Sequence, residues 1–318
     1  MESSKEILPL YRQMVLARLF EERVASLYMQ GHMRGFCHVY TGQEAVAVGI
    51  YHNLQKVDSS ITGHRCHAHM LIVGASPNEV MAELCSKETG CAKGRGGSAH
   101  MYSKEHNFYG GNAIVGGQVS LGTGLAFAHK YKADGGVAVI SYGDGAANQG
   151  QVYESFNMAS LWKLPAVYVV ENNHYAFGTS EPRGTAGDIK TRGDSFGIPT
   201  ILADGMDLFD VLEKSKEAIE YARSGKGPII LHVDTYRYRG HSVVDPATYR
   251  TRDEVNDIKQ NRDPIKFVRD YLIKKHSMTE NEFDNIEEEI GEIVESAAKF
   301  ALESNNASEL ELMTDVIL

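Results

Sequence analysis

Apolar positions near the start of the chain recur at helical spacing. Ile7, Tyr11, Met14, Val15, Leu19 and Leu27 share one face, Arg18 and Glu22 fall among them, and Gly31 stands where a glycine would close the run. This predicts a long amphipathic helix over about 4–30. Shorter helices are predicted from 43 to about 52 and over 78–85, the second introduced by Ser76-Pro77, with the polar stretch TGHRCHAH read as a loop between them. In the centre the pattern changes. Residues 137–142, 167–171 and 229–233 are short apolar, β-rich runs, separated by helical patterns over 151–164 and 208–222. Strand alternating with helix predicts an α/β fold: a parallel sheet with helices on both faces, and ligands beyond the carboxyl ends of the strands. Those ends are 143–148, 172–178 and 237–245. A helical C-terminal tail follows over about 262–318. In it Thr279 and Glu282 make a capping box, and Phe283, Ile286, Ile290, Ile293, Ala297 and Phe300 form an apolar stripe expected to dock on the body, with a subunit interface as the alternative. With no internal repeat or low-complexity linker, residues 1–318 read as a single domain.

Composition narrows the chemistry. The formal charge of -10 leaves no dominant basic face for nucleic acid, so a phosphorylated ligand would need local cations or a metal. Cys37, Cys66, Cys85 and Cys91 are scattered without a disulfide framework, and neither a leader peptide nor a membrane-spanning apolar run is expected. A reducing cytoplasm is the expected location.

The segment SYGDGAANQG, 141–150, nearly fits the dinucleotide fingerprint G-x-G-x-x-G, yet it carries Asp144 in the turn. Two unit charges ~4 Å apart at an effective dielectric of ~20 repel by about 4 kcal/mol, so an aspartate beside a diphosphate would be a fault. A bridging divalent cation reverses the sign, because Mg²⁺ is commonly held by one or two protein groups plus substrate phosphates. Further oxygens are available one strand along, in Glu171-Asn172-Asn173-His174-Tyr175.

Gly143-Asp144-Gly145 with Asn172-Asn173 resembles the thiamin diphosphate motif. KGRGGSAHMYSKEHNFYGGNAIVGGQVSLGTG, YGDGAANQGQVYESFNMASLWKLP, ENNHYAFGTS and TYRYRGHSVVDPATYRTRDEV extend the likeness to the alpha subunits of the decarboxylating pyruvate dehydrogenase component, across almost the whole chain. The resemblance implies a thiamin diphosphate-binding fold in which Asp144, the Asn173 side chain and the Tyr175 carbonyl hold Mg²⁺. It also implies that Gly145 and Ala146 offer N–H groups to the diphosphate, that Arg65 and His64 bind the terminal phosphate, and that Ala113 and Val115 touch the aminopyrimidine through their main chain. Relatives commonly carry tyrosine at His64, glycine at Ala113 and arginine at His174. His241, His38 and His67 are the candidates for catalytic proton handling. The basic loop 236–252 carries Arg237, Arg239, Arg250 and Arg252, and Ser242 in it aligns with a serine phosphorylated in mitochondrial relatives.

Thiamin enzymes need a glutamate against the pyrimidine, and none here has the matching context. The likeness implies that a beta subunit supplies it, in an α2β2 heterotetramer that passes an acetyl group to a lipoyl-bearing dihydrolipoyl acetyltransferase. Acetoin and branched-chain 2-oxo acid enzymes share the motif, so they stand as alternative activities. A nicotinamide-dependent dehydrogenase, with Glu171 as its ribose-binding acid, and a non-catalytic interaction subunit are the remaining rivals. His64-Arg65-Cys66-His67-Ala68-His69 is rich in zinc-ligand types, but it lacks a second Cys/His pair at finger spacing and Arg65 intrudes.

Overall fold

The computed structural model describes residues 3–311, 313 and 314. Its strands are β1 (Ser59–Ile61), β2 (Ala138–Gly143), β3 (Ala166–Asn172), β4 (Tyr175–Ala176), β5 (Thr179–Ser180), β6 (Thr200–Asp204) and β7 (Ile229–Asp234). Five of them form one all-parallel sheet in the order β1-β2-β3-β7-β6, while β4 and β5 make a small antiparallel hairpin just past β3. The helices are α1 (Ser4–Met29), α2 (Glu44–Tyr51), α3 (His67–Ile72), α4 (Pro77–Leu84), α5 (Gly117–Lys132), α6 (Gly150–Leu161), α7 (Glu181–Gly184), α8 (Leu208–Arg223), α9 (Arg252–Asn261), α10 (Pro264–His276) and α11 (Glu280–Glu303).

The fold class expected from strand–helix alternation is the one found, and period-2 side-chain alternation explains it. Ala138, Ile140 and Tyr142 point into a layer with Val119, Ala126 and Phe156 of α5 and α6, whereas Val139 of the same strand meets Val46 of α2 and Val211 and Ile219 of α8. A third cluster joins α1, α3, α4 and α11 through residues such as Met14, Phe20, Met81, Phe283 and Ile290.

Four local readings need correction. The stretch read as a polar loop ends in the first turn of α3, in which His67 and His69 are buried; His67 is polar in sequence but finds Glu21 and Ser98 as partners, 2.8 Å away on each side. Helix α5 escaped recognition because glycines at 117, 122 and 124 depress helix propensity. Gly122 is required by packing: a Cβ there would stand 2.5 Å from Ile140 Cγ1. Strands β1 and β6 are too short, and in the case of β6 too exposed, to carry an apolar run. In α11 the apolar stripe is rotated. Ile293 and Phe300 are 44% and 36% exposed, while Val294, Ala298 and Ala301 are buried beside Phe283, Ile286, Ile290 and Ala297. The tail's helices end at Glu303, a 3-10 turn spans Glu309–Glu311, and 312 and 315–318 lie outside the described residues.

The rotated stripe separates two isoleucines three residues apart. Ile290→Ala is expected to cost about 2–5 kcal/mol and Ile293→Ala less than about 0.5 kcal/mol, read as urea-midpoint shifts. Equal costs would return Ile293 to the packed face.

Candidate active site

The site begins with register. Parallel pairing sets Gly143 opposite Glu171 and Asn172 opposite Asp234, so the ends of β2, β3 and β7 lie level. Asp144 and Asn173, each one residue beyond its strand, emerge side by side at the sheet's carboxyl edge and are both buried. The turn after Asp144 must be glycine, because a Cβ on Gly145 would sit 2.6 Å from the Cβ of Ala176 in the hairpin. Beyond it the expected helix is interrupted. Ala146–Asn148 is one 3-10 turn, Gln149 is extended at φ -76° and ψ 137°, and α6 starts only at Gly150. The helix N-terminus demanded by a dinucleotide fingerprint is therefore not at Gly145.

A cavity of roughly 360 Å³ opens at this edge. His64, Arg65, Val115, Asp144, Gly145, Ala146, Asn173, Tyr175 and His241 line it, as do Gln118, Glu171 and Arg237. The Asn173 side chain is aimed by its own amide, whose Nδ2 donates to Gln43 Oε1 at 3.2 Å. Glu171, the supposed ribose acid, is buried in the same wall with Oε1 3.5 Å from His69 Nε2.

Two guanidiniums, Arg65 and Arg237, share the wall with the carboxylates of Asp144 and Glu171. Arg65 donates to the carbonyls of Val39 and His241 at 2.9 and 2.7 Å, and Arg237 donates only to neutral oxygens. Both are buried, and neither has a carboxylate within 4 Å among the described residues. Burial, reinforced by Arg237, brings Arg65 down to about 9. Burial also raises the Asp144 carboxyl, against the pull of Arg237.

His38, His64 and His241 form a ring cluster beside Arg65, with centroids 4.5, 4.8 and 5.2 Å apart. Their nitrogens could approach a metal ion, all lying within 4.8 Å of one another. Arg65 Nη2, however, is 3.4 Å from His241 Nδ1, so the neighbourhood favours an anion. Burial first and Arg65 second hold His38 down to about 3, His241 to about 4 and His64 well below the ordinary histidine range. All three are neutral at pH 7.

Three sequence candidates are not part of the wall: His38 reaches it only through its contacts with the His64 and His241 rings, and Ala113 and His67 stand away from it. Ala113 is exposed, between Asn112 and Val115, which do line the cavity. His67 lies behind it with both ring nitrogens committed to Glu21 and Ser98, so the structure gives it an anchoring place. Sequence reading missed Gln43, Gln118 and the inward aim of Arg237. Gln118 and Arg237 lie within the quoted motifs, but nothing in their spacing marks them as buried. Loop 236–252 is knitted by Arg250, whose guanidinium donates to the carbonyls of Arg237, Tyr238 and Arg239, and Ser242 is buried.

Comparison with known proteins shows the family. The family model for the dehydrogenase E1 component matches residues 11–309. The chain belongs to the dehydrogenase E1 component family. Within the family it is 53% identical over 317 residues to a pyruvate dehydrogenase E1 component subunit alpha of Rhizobium meliloti (strain 1021), covering 99% of this chain and 91% of that protein. It is 51% identical to the same subunit of Zymomonas mobilis subsp. mobilis, covering 99% of this chain and 89% of the relative. With the mitochondrial subunit of Dictyostelium discoideum identity is 50%, covering 98% and 82%.

The depressed histidines set a pH dependence. An unfolded E1 chain takes up these protons near the ordinary value of about 6.5, the folded one only near 3 to 4, so stability present above pH 6.5 is lost as pH falls toward 4. His38→Gln is expected to flatten the urea-midpoint-versus-pH curve in that window, by at most about 1.4 kcal/mol per pH unit. An unchanged slope would count against a neutral buried His38.

Proposed function

We propose that this chain is the alpha subunit of a thiamin diphosphate-dependent pyruvate dehydrogenase, and that it holds the cofactor's diphosphate, bridged by Mg²⁺, at the ends of β2 and β3. The observation that carries this is the pair of buried guanidiniums without carboxylate partners, Arg65 and Arg237, in the same cavity as the buried Asp144. A buried guanidinium without a contacting carboxylate is costly until paired, and a diphosphate would pair both. An orphaned donor fits the same ligand: His64 Nε2 is buried at the wall without a hydrogen-bond partner.

In this reading Asp144, Asn173 Oδ1 and the Tyr175 carbonyl are oxygen ligands for Mg²⁺, which prefers such donors. Gly145 and Ala146 offer main-chain N–H groups, Arg65 and His64 take the terminal phosphate, and Ala113 and Val115 meet the aminopyrimidine through their main chain. Bound thiamin diphosphate supplies a carbanion-stabilising centre for decarboxylating a 2-oxo acid. His241 and His38, neutral and beside Arg65, can each accept a proton near the substrate carboxylate or return one. His67 supports them from behind, since Ser98 Oγ both meets its ring and accepts from the His38 N–H at 3.2 Å.

The partner is a beta subunit, in an α2β2 assembly. Its docking is supported by an exposed apolar face on α5 and the end of α6, where Leu121, Phe127, Tyr131, Leu161 and Trp162 are 42–83% exposed, and by Ile114 and Phe177 near the cavity. We read residues 1–318 as one domain, the acyl acceptor as a lipoyl-bearing dihydrolipoyl acetyltransferase, and the location as cytoplasmic, which suits four free cysteines. No described helix is long and apolar enough to cross a membrane.

Asp144→Ala is expected to weaken Mg²⁺-thiamin diphosphate binding by more than about 100-fold in equilibrium dialysis while leaving the circular dichroism spectrum unchanged. Unchanged affinity would overturn the metal assignment. With its beta subunit the chain should turn over pyruvate with a higher kcat/KM than acetoin or 2-oxoisovalerate, and without it should show no decarboxylation above background. A preference for either of the others would reassign the substrate.

A further inference from the structure

Arg237 is a buried arginine with an unusual set of partners. Its Nη1 donates to Asn173 Oδ1 at 3.2 Å and to the Tyr175 carbonyl at 3.0 Å. Its Nη2 donates to the Phe177 carbonyl at 3.1 Å and Tyr249 Oη at 2.9 Å, and its Nε to the Arg239 carbonyl at 3.2 Å. Every acceptor is a neutral oxygen, on a side chain that is 2% exposed. A buried guanidinium is ordinarily matched to a carboxylate, and this one is matched to dipoles.

Two of those oxygens are the ones assigned above to a divalent cation. They face one another across a single nitrogen because Gln43 fixes the Asn173 amide and because the chain turns sharply through His174, at φ 69°, to present the Tyr175 carbonyl. Such convergence of an amide oxygen and a carbonyl oxygen is what a hard cation needs, and left without a cation the two partial negative charges repel each other.

We propose that Arg237 is a positioning residue whose guanidinium stands in for the metal, holding Asn173 Oδ1 and the Tyr175 carbonyl in ligand geometry until a divalent cation displaces Nη1 from both. The inference rests on the metal assignment made under the proposed function. A cation ~2.0–2.1 Å from each oxygen would lie where Nη1 now approaches them, so the two cannot share the pair. Nη2 and Nε keep their own three acceptors, which lets the guanidinium give up one nitrogen's contacts without leaving the loop. Metal entry is therefore a competition, and the ligand oxygens are arranged before the metal arrives.

The test uses the full chain with its beta subunit, freed of cofactor, and Mn²⁺ alone as the probe, followed by electron paramagnetic resonance. Arg237→Met is expected to bind Mn²⁺ at least about tenfold more tightly than wild type, because the competing cation is gone. Arg237→Lys, which keeps the charge but not the two-oxygen reach, should also bind more tightly than wild type. If both variants bind Mn²⁺ as wild type does, or Arg237→Met binds it more weakly, the stand-in role is overturned. Asp144→Asn separates the two readings. Loss of Mn²⁺ binding there with no effect of Arg237→Met keeps the metal site and rejects this inference, whereas equal binding in Asp144→Asn and wild type rejects the metal site itself. If the buried variants fail to fold, a wild-type crystal structure with Mn²⁺ and inorganic diphosphate decides. Nη1 should then lie beyond hydrogen-bond reach of Asn173 Oδ1 and the Tyr175 carbonyl, and retention of both contacts with metal bound would overturn the proposal.

Discussion

The parallel pairing of β2 with β3 is the constraint on which the site depends. Its register sets Gly143 opposite Glu171, so the first residue past β2 and the first past β3 leave the sheet at one level. A slip of one residue would turn Ile140 and Val139 to the wrong faces, exchanging partners between the α5/α6 layer and the α2/α8 layer. The cores on the two faces thus lock the register, and the register brings Asp144 to Asn173. Function at the edge is inherited from packing in the middle.

The second requirement is that the cavity tolerate its own charge. Arg65 and Arg237 are buried together, and the three histidines nearest Arg65 stay neutral because burial and that guanidinium both oppose their protonation. An anion in this wall would meet positive charge and offset the Arg65 contribution, while the larger cause of histidine neutrality, burial, would remain.

Carboxylates farther back hold these groups still. Glu21, on α1, bonds His67 with one oxygen and accepts from the Tyr40 N–H with the other, which ties α3 to the strand of chain carrying His38. Glu83, at the end of α4, is fully buried and accepts from the N–H groups of Ala92, Gly94, Gly96 and Gly97 at 2.7–3.0 Å, filling the backbone nest that the glycine-rich turn creates. The next residue, Ser98, touches His67 and the His38 backbone. Glycines in this turn leave no side chain between the Glu83 carboxylate and the donors, so an internal anion organises the loop that borders the histidine cluster.

The sequence by itself determined whatever is written in local periodicity or in a chemically odd residue. Apolar runs marked the three central strands and the helices between them, and an aspartate where a phosphate turn should be neutral is the reason a metal-bridged diphosphate is proposed. Family likeness then named His64, Arg65, Asp144, Asn173 and Tyr175 among the residues of the wall. Local patterns failed where a distant contact overrides propensity. The glycines of α5 look like a loop until Ile140 is seen to occupy the space of a Cβ, and TGHRCHAH looks solvated until Glu21 and Ser98 satisfy His67. Along α11, Ile293 and Val294 are equally apolar, and only the angle at which the helix meets α4 and α1 decides which is buried. Arg237 is the clearest case. In the chain it is one of four arginines in a basic loop, and only folding turns its charge inward onto Asn173 and Tyr175, because its hydrogen-bond partners come together only where the 173–177 turn meets the 236–252 loop.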